Sequence, residues 1–226
     1  MTGHDPRAPD AQVEPRTGQS SVTGHLTVPE SPTGAVVFAH GSGSSRHSPR
    51  NRQVATMLNE AGLATVLFDL LTVDEARDRA NVFDIDLLSE RLLQVTRWVR
   101  DQRSLAHLAV GYFGASTGAA AALWAAAEPH SEVAAVVSRG GRPDLAGARL
   151  QAVRAPTLLI VGGRDPAVLE LNRQAQARLR CTNRLVVVPG ATHLFEEAGT
   201  LDAAAGHARD WFAAHLHGAG TGPGEP

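Results

Sequence analysis

At 226 residues, 43% hydrophobic and 19% charged, the chain has the size and apolar content of one globular α/β domain, not of a disordered or fibrous segment. A formal net charge of −2 without a concentrated basic face argues against a nucleic-acid partner. All 21 basic residues are arginine, which removes Schiff-base and Ser–Lys chemistry, and the single Cys181 removes an intrachain disulfide.

Residues 1–18 mix Asp, Pro, Arg and Gly without periodicity and read as a flexible arm, with room for a short edge strand near residues 12–15. That stretch has no apolar signal-peptide core, and no run approaches the ~20 apolar residues of a membrane span. A cytoplasmic protein with no membrane attachment is the expectation, as a monomer or homodimer. Residues 21–28 alternate weakly, as a half-exposed edge strand does. Residues 35–39 are a continuous apolar run, the pattern of a strand buried on both faces. Residues 49–61 carry helical spacing with Pro49 suited to a first turn.

Residues 65–68 form the next buried strand. Residues 83–100 are amphipathic, with Ile85, Leu88, Leu92, Val95 and Val99 on one stripe. Then come a strand at 108–113, an alanine-dominated helix at 117–127, strands at 133–137 and 157–161, and a helix at 166–179. A strand at 185–188 and a helix at 201–216 complete the domain, expected over residues 19–217. The Gly/Pro-rich residues 218–226 read as a disordered tail. Strand–helix alternation of this kind predicts a three-layer α/β/α sandwich around a mostly parallel sheet of about 6–8 strands. In such sheets ligands bind beyond the carboxyl ends of the strands.

Three of those ends carry chemistry. The strand at 108–113 runs into Gly114–Ala115–Ser116–Thr117–Gly118, a G-x-S-x-G. A serine at the tip of a tight strand-to-helix turn crowds its own backbone, so the residues two before and two after must be tiny. The turn exposes the hydroxyl and leaves amides free at a helix N-terminus. Asp165 follows the strand at 157–161 after Gly162–Gly163–Arg164, and His193 follows the strand at 185–188 after Pro189–Gly190–Ala191–Thr192. A base and a group to orient it are what a serine nucleophile needs. Asp144 and Asp69 also follow strands on this edge; Asp165 is preferred for its place directly after an apolar run and Gly–Gly.

The strand at 35–39 leads into His40–Gly41–Ser42–Gly43–Ser44–Ser45, which resembles the His–Gly-type oxyanion loop of esterases; the expected donors are the amides of Thr117 and of Ser42 or Gly43. His40 itself reads as structural, satisfied by backbone. Arg46, His47, Arg139 and Arg142 make the mouth cationic, and Arg46, His47 and Arg139 are candidate substrate contacts, an arginine pairing with a substrate carboxylate. No cofactor or metal is implied: H-E-x-x-H is absent, and one cysteine cannot build a thiolate site.

Taken together, the residues 40–51 loop (His40–Gly41–Ser42–Gly43–Ser44–Ser45–Arg46–His47–Ser48–Pro49–Arg50–Asn51), Gly114–Ala115–Ser116–Thr117–Gly118, Gly163–Arg164–Asp165 and Ala191–Thr192–His193 resemble the dienelactone-hydrolase-like branch of the α/β-hydrolases. The resemblance implies the α/β-hydrolase fold, a Ser–Asp–His triad in that chain order, and a small-molecule ester as substrate. Dienelactone hydrolases proper carry cysteine where this chain has Ser116, so a general serine esterase is the expectation. Many relatives insert a lid after the strand corresponding to 133–137; residues 138–156 are too few for one, so no lid domain is expected. Related acyl chemistry (thioesterase, lactonase, acyltransferase or perhydrolase) and a non-catalytic binding module of the same fold are the alternatives.

Overall fold

The computed structural model describes residues 10–14, 16–17 and 20–216. In chain order these form β1 (Asp10–Val13), β2 (Arg16–Thr17), β3 (Ser20–Ser21), β4 (Gly24–Thr27), β5 (Gly34–Ala39), α1 (Pro49–Glu60), β6 (Leu63–Phe68), α2 (Ile85–Asp101) and β7 (Val110–Ala115). They continue with α3 (Thr117–Ala126), β8 (Ala135–Arg139), β9 (Thr157–Gly162), α4 (Pro166–Arg178), β10 (Asn183–Val188) and α5 (Thr200–His215). Eight strands make one sheet in the order β1-β4-β6-β5-β7-β8-β9-β10. β4 runs antiparallel to both its neighbours, and every other pair in the sheet is parallel.

Period-two alternation divides the strand side chains between two cores. On β5, Ala35, Val37 and Ala39 join Leu88, Leu92 and Val95 of α2 and the alanines of α3. Val36 and Phe38 face the other way, onto Val54 and Leu58 of α1 and Phe212 of α5. The result is the predicted three-layer α/β/α sandwich. Ala119 to Ala122 of α3 are fully buried, and their short side chains let this helix sit close between the sheet and α2.

Several boundaries differ from expectation. β7 and β8 lie two residues later than the apolar runs predicted, because Leu108 and Val133 are buried in the lead-in loops, not in strands. Arg139 is therefore the last residue of β8 instead of a loop residue. α2 starts at Ile85, since the Asp84 side chain accepts from the Leu87 amide and caps the helix there; Phe83 stands before it, exposed, in a short 3-10 turn. Part of the expected N-terminal arm is a strand: β1 pairs with β4 along Asp10–Thr27 to Val13–Gly24. Residues 1–9, 15 and 18 of that arm and the expected tail at 218–226 lie outside the described residues.

Between β8 and β9 stands a run of 3-10 turns (Pro143–Ala152), broken at Gly147 and packed on α3 and α4, in place of a cap domain. No helix among the described residues is long and apolar enough to cross a membrane.

Phe212 is fully buried against β7, where a Cβ on Gly111 would come within 2.7 Å of its ring. Phe212→Ala is expected to cost about 3–5 kcal/mol of stability in urea unfolding, the usual range for emptying a buried aromatic site. A loss under about 1 kcal/mol would show that the ring does not pack as described.

Candidate functional site

Ser116 occupies the junction of β7 and α3 with φ 51° and ψ −122°, a conformation that few non-glycine residues adopt. Its amide donates to Arg139 O (3.4 Å), and its carbonyl accepts from the amides of Arg142 (3.0 Å) and Ala119 (3.1 Å). The flanking glycines are sterically required. A Cβ on Gly114 would lie 2.4 Å from Ala119 Cα, and one on Gly118 would lie 2.1 Å from Ala39 O. Gly41 has the same role from the neighbouring loop, because a Cβ there would sit 2.8 Å from Ser116 Cβ. The sequence reading found the first two from the motif; Gly41 carries no signal of its own beyond following the His of the loop.

Parallel pairing of β9 with β10 brings the loops after them side by side. Gly163 N donates to Val188 O and Arg164 N to Ala191 O, both at 2.9 Å. The crossing is close enough that a Cβ on Gly162 would meet Ala191 O at 2.4 Å. The outcome is a 2.8 Å hydrogen bond between His193 Nδ1 and Asp165 Oδ2. Asp165 also caps α4, its Oδ1 accepting from Val168 N, which fixes the carboxylate. Glu197, which the sequence reading passed over, accepts from the Thr192 amide at 3.0 Å and steadies the His193 loop; that bond holds its carboxyl below the usual range.

The rival acids are engaged elsewhere. Asp144 accepts from Arg142 Nε and Nη2, each at 2.8 Å, and Asp69 accepts from the Arg46 amide and guanidinium. His40 is partly buried, with Nδ1 donating to Gly41 O and Nε2 accepting from Leu70 N; desolvation lowers its pKa, consistent with a neutral, structural ring.

Ser116 and His193 line one cleft of about 480 Å³, together with Arg139, Gly140, the 41–45 loop and the first turn of α1. Of the candidate substrate contacts, Arg139 and His47 line it; Arg46 does not, being bound to Asp69. Arg46 and Arg52 also lower the pKa of the exposed His47, Arg46 most. Arg50 and Asn51 line the cleft as well, which the helical spacing of 49–61 gave no reason to single out. Ser42 and Gly43 both border the cleft, and the Ser42 amide donates to Thr117 Oγ1 at 2.9 Å, so the loop is tied to the start of α3. Across this loop lies a second, more apolar cavity of about 330 Å³ walled by Leu70, Leu71, Val82 and Leu88. Among the described residues no group of three or more His, Cys, Asp or Glu is placed to hold a metal ion.

Gly118→Ala is expected to destabilise the fold by about 2–3 kcal/mol or to abolish folding, because the new Cβ meets backbone oxygen that cannot yield. Thermal unfolding of the purified variant checks this, and an unchanged midpoint would contradict the close approach of α3 to β5.

Residues 32–218 match the alpha/beta hydrolase domain family. A dienelactone hydrolase from Anabaena variabilis is 52% identical, superposes with a TM-score of 0.90, and is covered over its whole length by 93% of this chain. Est1E from Butyrivibrio proteoclasticus shares the fold at a TM-score of 0.76 and 15% identity, over 90% of this chain and 98% of its own. Two Mycobacterium tuberculosis proteins, provisionally named phosphoribosyl transferases, are 64% identical over 216 residues, which is 96% of this chain. The chain spans about half the length of these curated relatives, 49% in each case.

Proposed function

The chain belongs to the α/β hydrolase domain family, in its dienelactone-hydrolase-like branch, and from that premise we propose that it hydrolyses carboxylic esters through Ser116, His193 and Asp165. The observation that carries the reading is the 2.8 Å His193–Asp165 bond, formed at the same sheet edge as Ser116, with His193 lining the same cleft as that serine in its strained, glycine-flanked turn.

In this mechanism the Ser116 hydroxyl attacks the acyl carbon while His193 Nε2 takes its proton. Asp165, bonded to Nδ1, fixes the tautomer that leaves Nε2 free to accept and stabilises the imidazolium that forms. The tetrahedral oxyanion is received by the Thr117 amide, one of the first amides of α3 that lack an intrahelical acceptor. The second donor comes from the 41–45 loop. Its Ser42 amide rests on the Thr117 hydroxyl, a neutral acceptor that a charged oxyanion outcompetes. Collapse expels the alcohol, protonated by His193, and water activated by the same imidazole releases the acid. The open cleft, with no cap between β8 and β9, suits small or accessible esters.

The name carried by the mycobacterial relatives points to phosphoribosyl transfer. This chain matches half of those proteins, and an attacking serine with a base and an orienting acid serves acyl rather than glycosyl transfer, so hydrolysis is the activity we assign to it.

With a short p-nitrophenyl ester, Ser116→Ala and His193→Ala are expected to lose turnover to near background. Asp165→Asn should lower kcat by about 10³–10⁴-fold through the wrong imidazole tautomer. Asp144→Asn, at the residue bound by Arg142, should stay within about threefold of wild type. A large loss in Asp144→Asn with a small one in Asp165→Asn would reassign the acid.

A further inference from the structure

Resting on the ester-hydrolase reading, the geometry points to an anion subsite beside Ser116: the Arg139 guanidinium, with Arg50 and the N-terminal turn of α1, receives a phosphate or carboxylate group carried by the substrate.

A guanidinium removed from water needs a counter-charge or a full set of acceptors. Among the described residues two arginines are buried, and they differ in this respect. Arg91, 5% exposed, is ion-paired with Glu75 at 2.7 Å. Arg139, 6% exposed, has no carboxylate partner among the described residues, and its Nε has no hydrogen-bond acceptor. The Phe195 ring centroid lies 5.5 Å from the Arg139 guanidinium carbon. That contact supports the cation without neutralising it.

The surroundings accentuate the deficit of negative charge. Among the described residues no carboxylate lines the cleft, whereas Arg50 does, and its charge acts against that of Arg139. Burial and that repulsion together push Arg139 down to about 10, so it still carries its charge at neutral pH. Arg50 has only a 3.3 Å contact with Glu196, which is itself well exposed. The twelve-residue α1 opens onto the same space with no acidic residue in its first turn, adding the positive end of its dipole. Two cations and a helix N-terminus converging on an acid-free cleft complement an oxyanion group, and Arg139 is already desolvated for bidentate contact. A substrate anion seated there places the ester against Ser116 in the same cleft, so that binding energy from a remote charge orients the acyl carbon.

Three acetates with related leaving groups test this: phenyl acetate, 4-acetoxybenzoate and 4-acetoxyphenyl phosphate. In the wild type, kcat/KM for at least one anionic ester is expected to exceed that for phenyl acetate by about tenfold or more, and the better of the two identifies the anion. Arg139→Gln should shrink that ratio by about tenfold, chiefly through KM, and Arg139→Lys should restore part of it. Inorganic phosphate or benzoate should inhibit the wild type more than Arg139→Gln.

If Arg139→Gln fails to fold, Arg50→Gln and 0.5 M salt apply the same test to the ratio, and a ratio that neither changes overturns the subsite. Turnover of phenyl acetate with ratios near one also overturns the subsite, while leaving the hydrolase reading intact. If the folded protein turns over none of the three, the hydrolase reading fails. Calorimetric titration with inorganic phosphate and with benzoate then decides the subsite: saturable binding weakened by Arg50→Gln supports it, and no binding of either overturns it.

Discussion

The molecule is organised around a single strained turn. Ser116 is held at φ 51° between the end of β7 and the start of α3, a backbone state that costs about 1–3 kcal/mol and persists only where its surroundings enforce it. The enforcement is visible on every side. Arg139 and Arg142 hold the serine's own amide and carbonyl, and α3 is pressed so close to β5 that Gly118 has no room for a Cβ. The alanines of α3 follow from the same demand, since a bulkier helix could not approach the sheet closely enough to close the turn. What the strain yields is a hydroxyl raised into the cleft beside free helix amides, before any substrate arrives.

The second organising element is the parallel register of the strands beyond β7. Because β8, β9 and β10 all run in the direction of β7, the loops that follow them open onto the same edge as Ser116. Glycine governs this region too: Gly162 lets the His193 loop cross, and Gly140, at φ 52°, passes 3.0 Å from His193 O as judged by its missing Cβ. The His193 loop is closed by Phe195, which takes a positive φ of 56° and is held there by burial of its ring. That ring is also the floor under Arg139, so one side chain supports both the imidazole loop and the buried cation.

Much of this was legible in the sequence because its causes are local. The G-x-S-x-G glycines are dictated by crowding within five residues, and the doubly apolar strands announce a sheet covered on both faces. Asp165 could be preferred over Asp144 from position, but the reason that it is the carboxylate bonded to His193 is tertiary: Arg142 occupies Asp144, and the β9–β10 register brings Asp165 to His193. Arg46 and Arg139 were equivalent as letters. Their difference arises from Asp69, which approaches Arg46 from the end of β6, and from the two-residue shift of β8 that draws Arg139 into the strand. Arg50, Asn51 and Glu197 were missed because each sits in an ordinary helical or polar run, and their relevance comes from what folds against them.

The central claim is that Ser116 is a nucleophile activated in place, and the most direct measurement is intact mass after treatment with a fluorophosphonate. The account predicts one covalent adduct on the folded wild type and none on Ser116→Ala. A folded wild type that takes no adduct, or a Ser116→Ala protein labelled as fast as wild type, would contradict it.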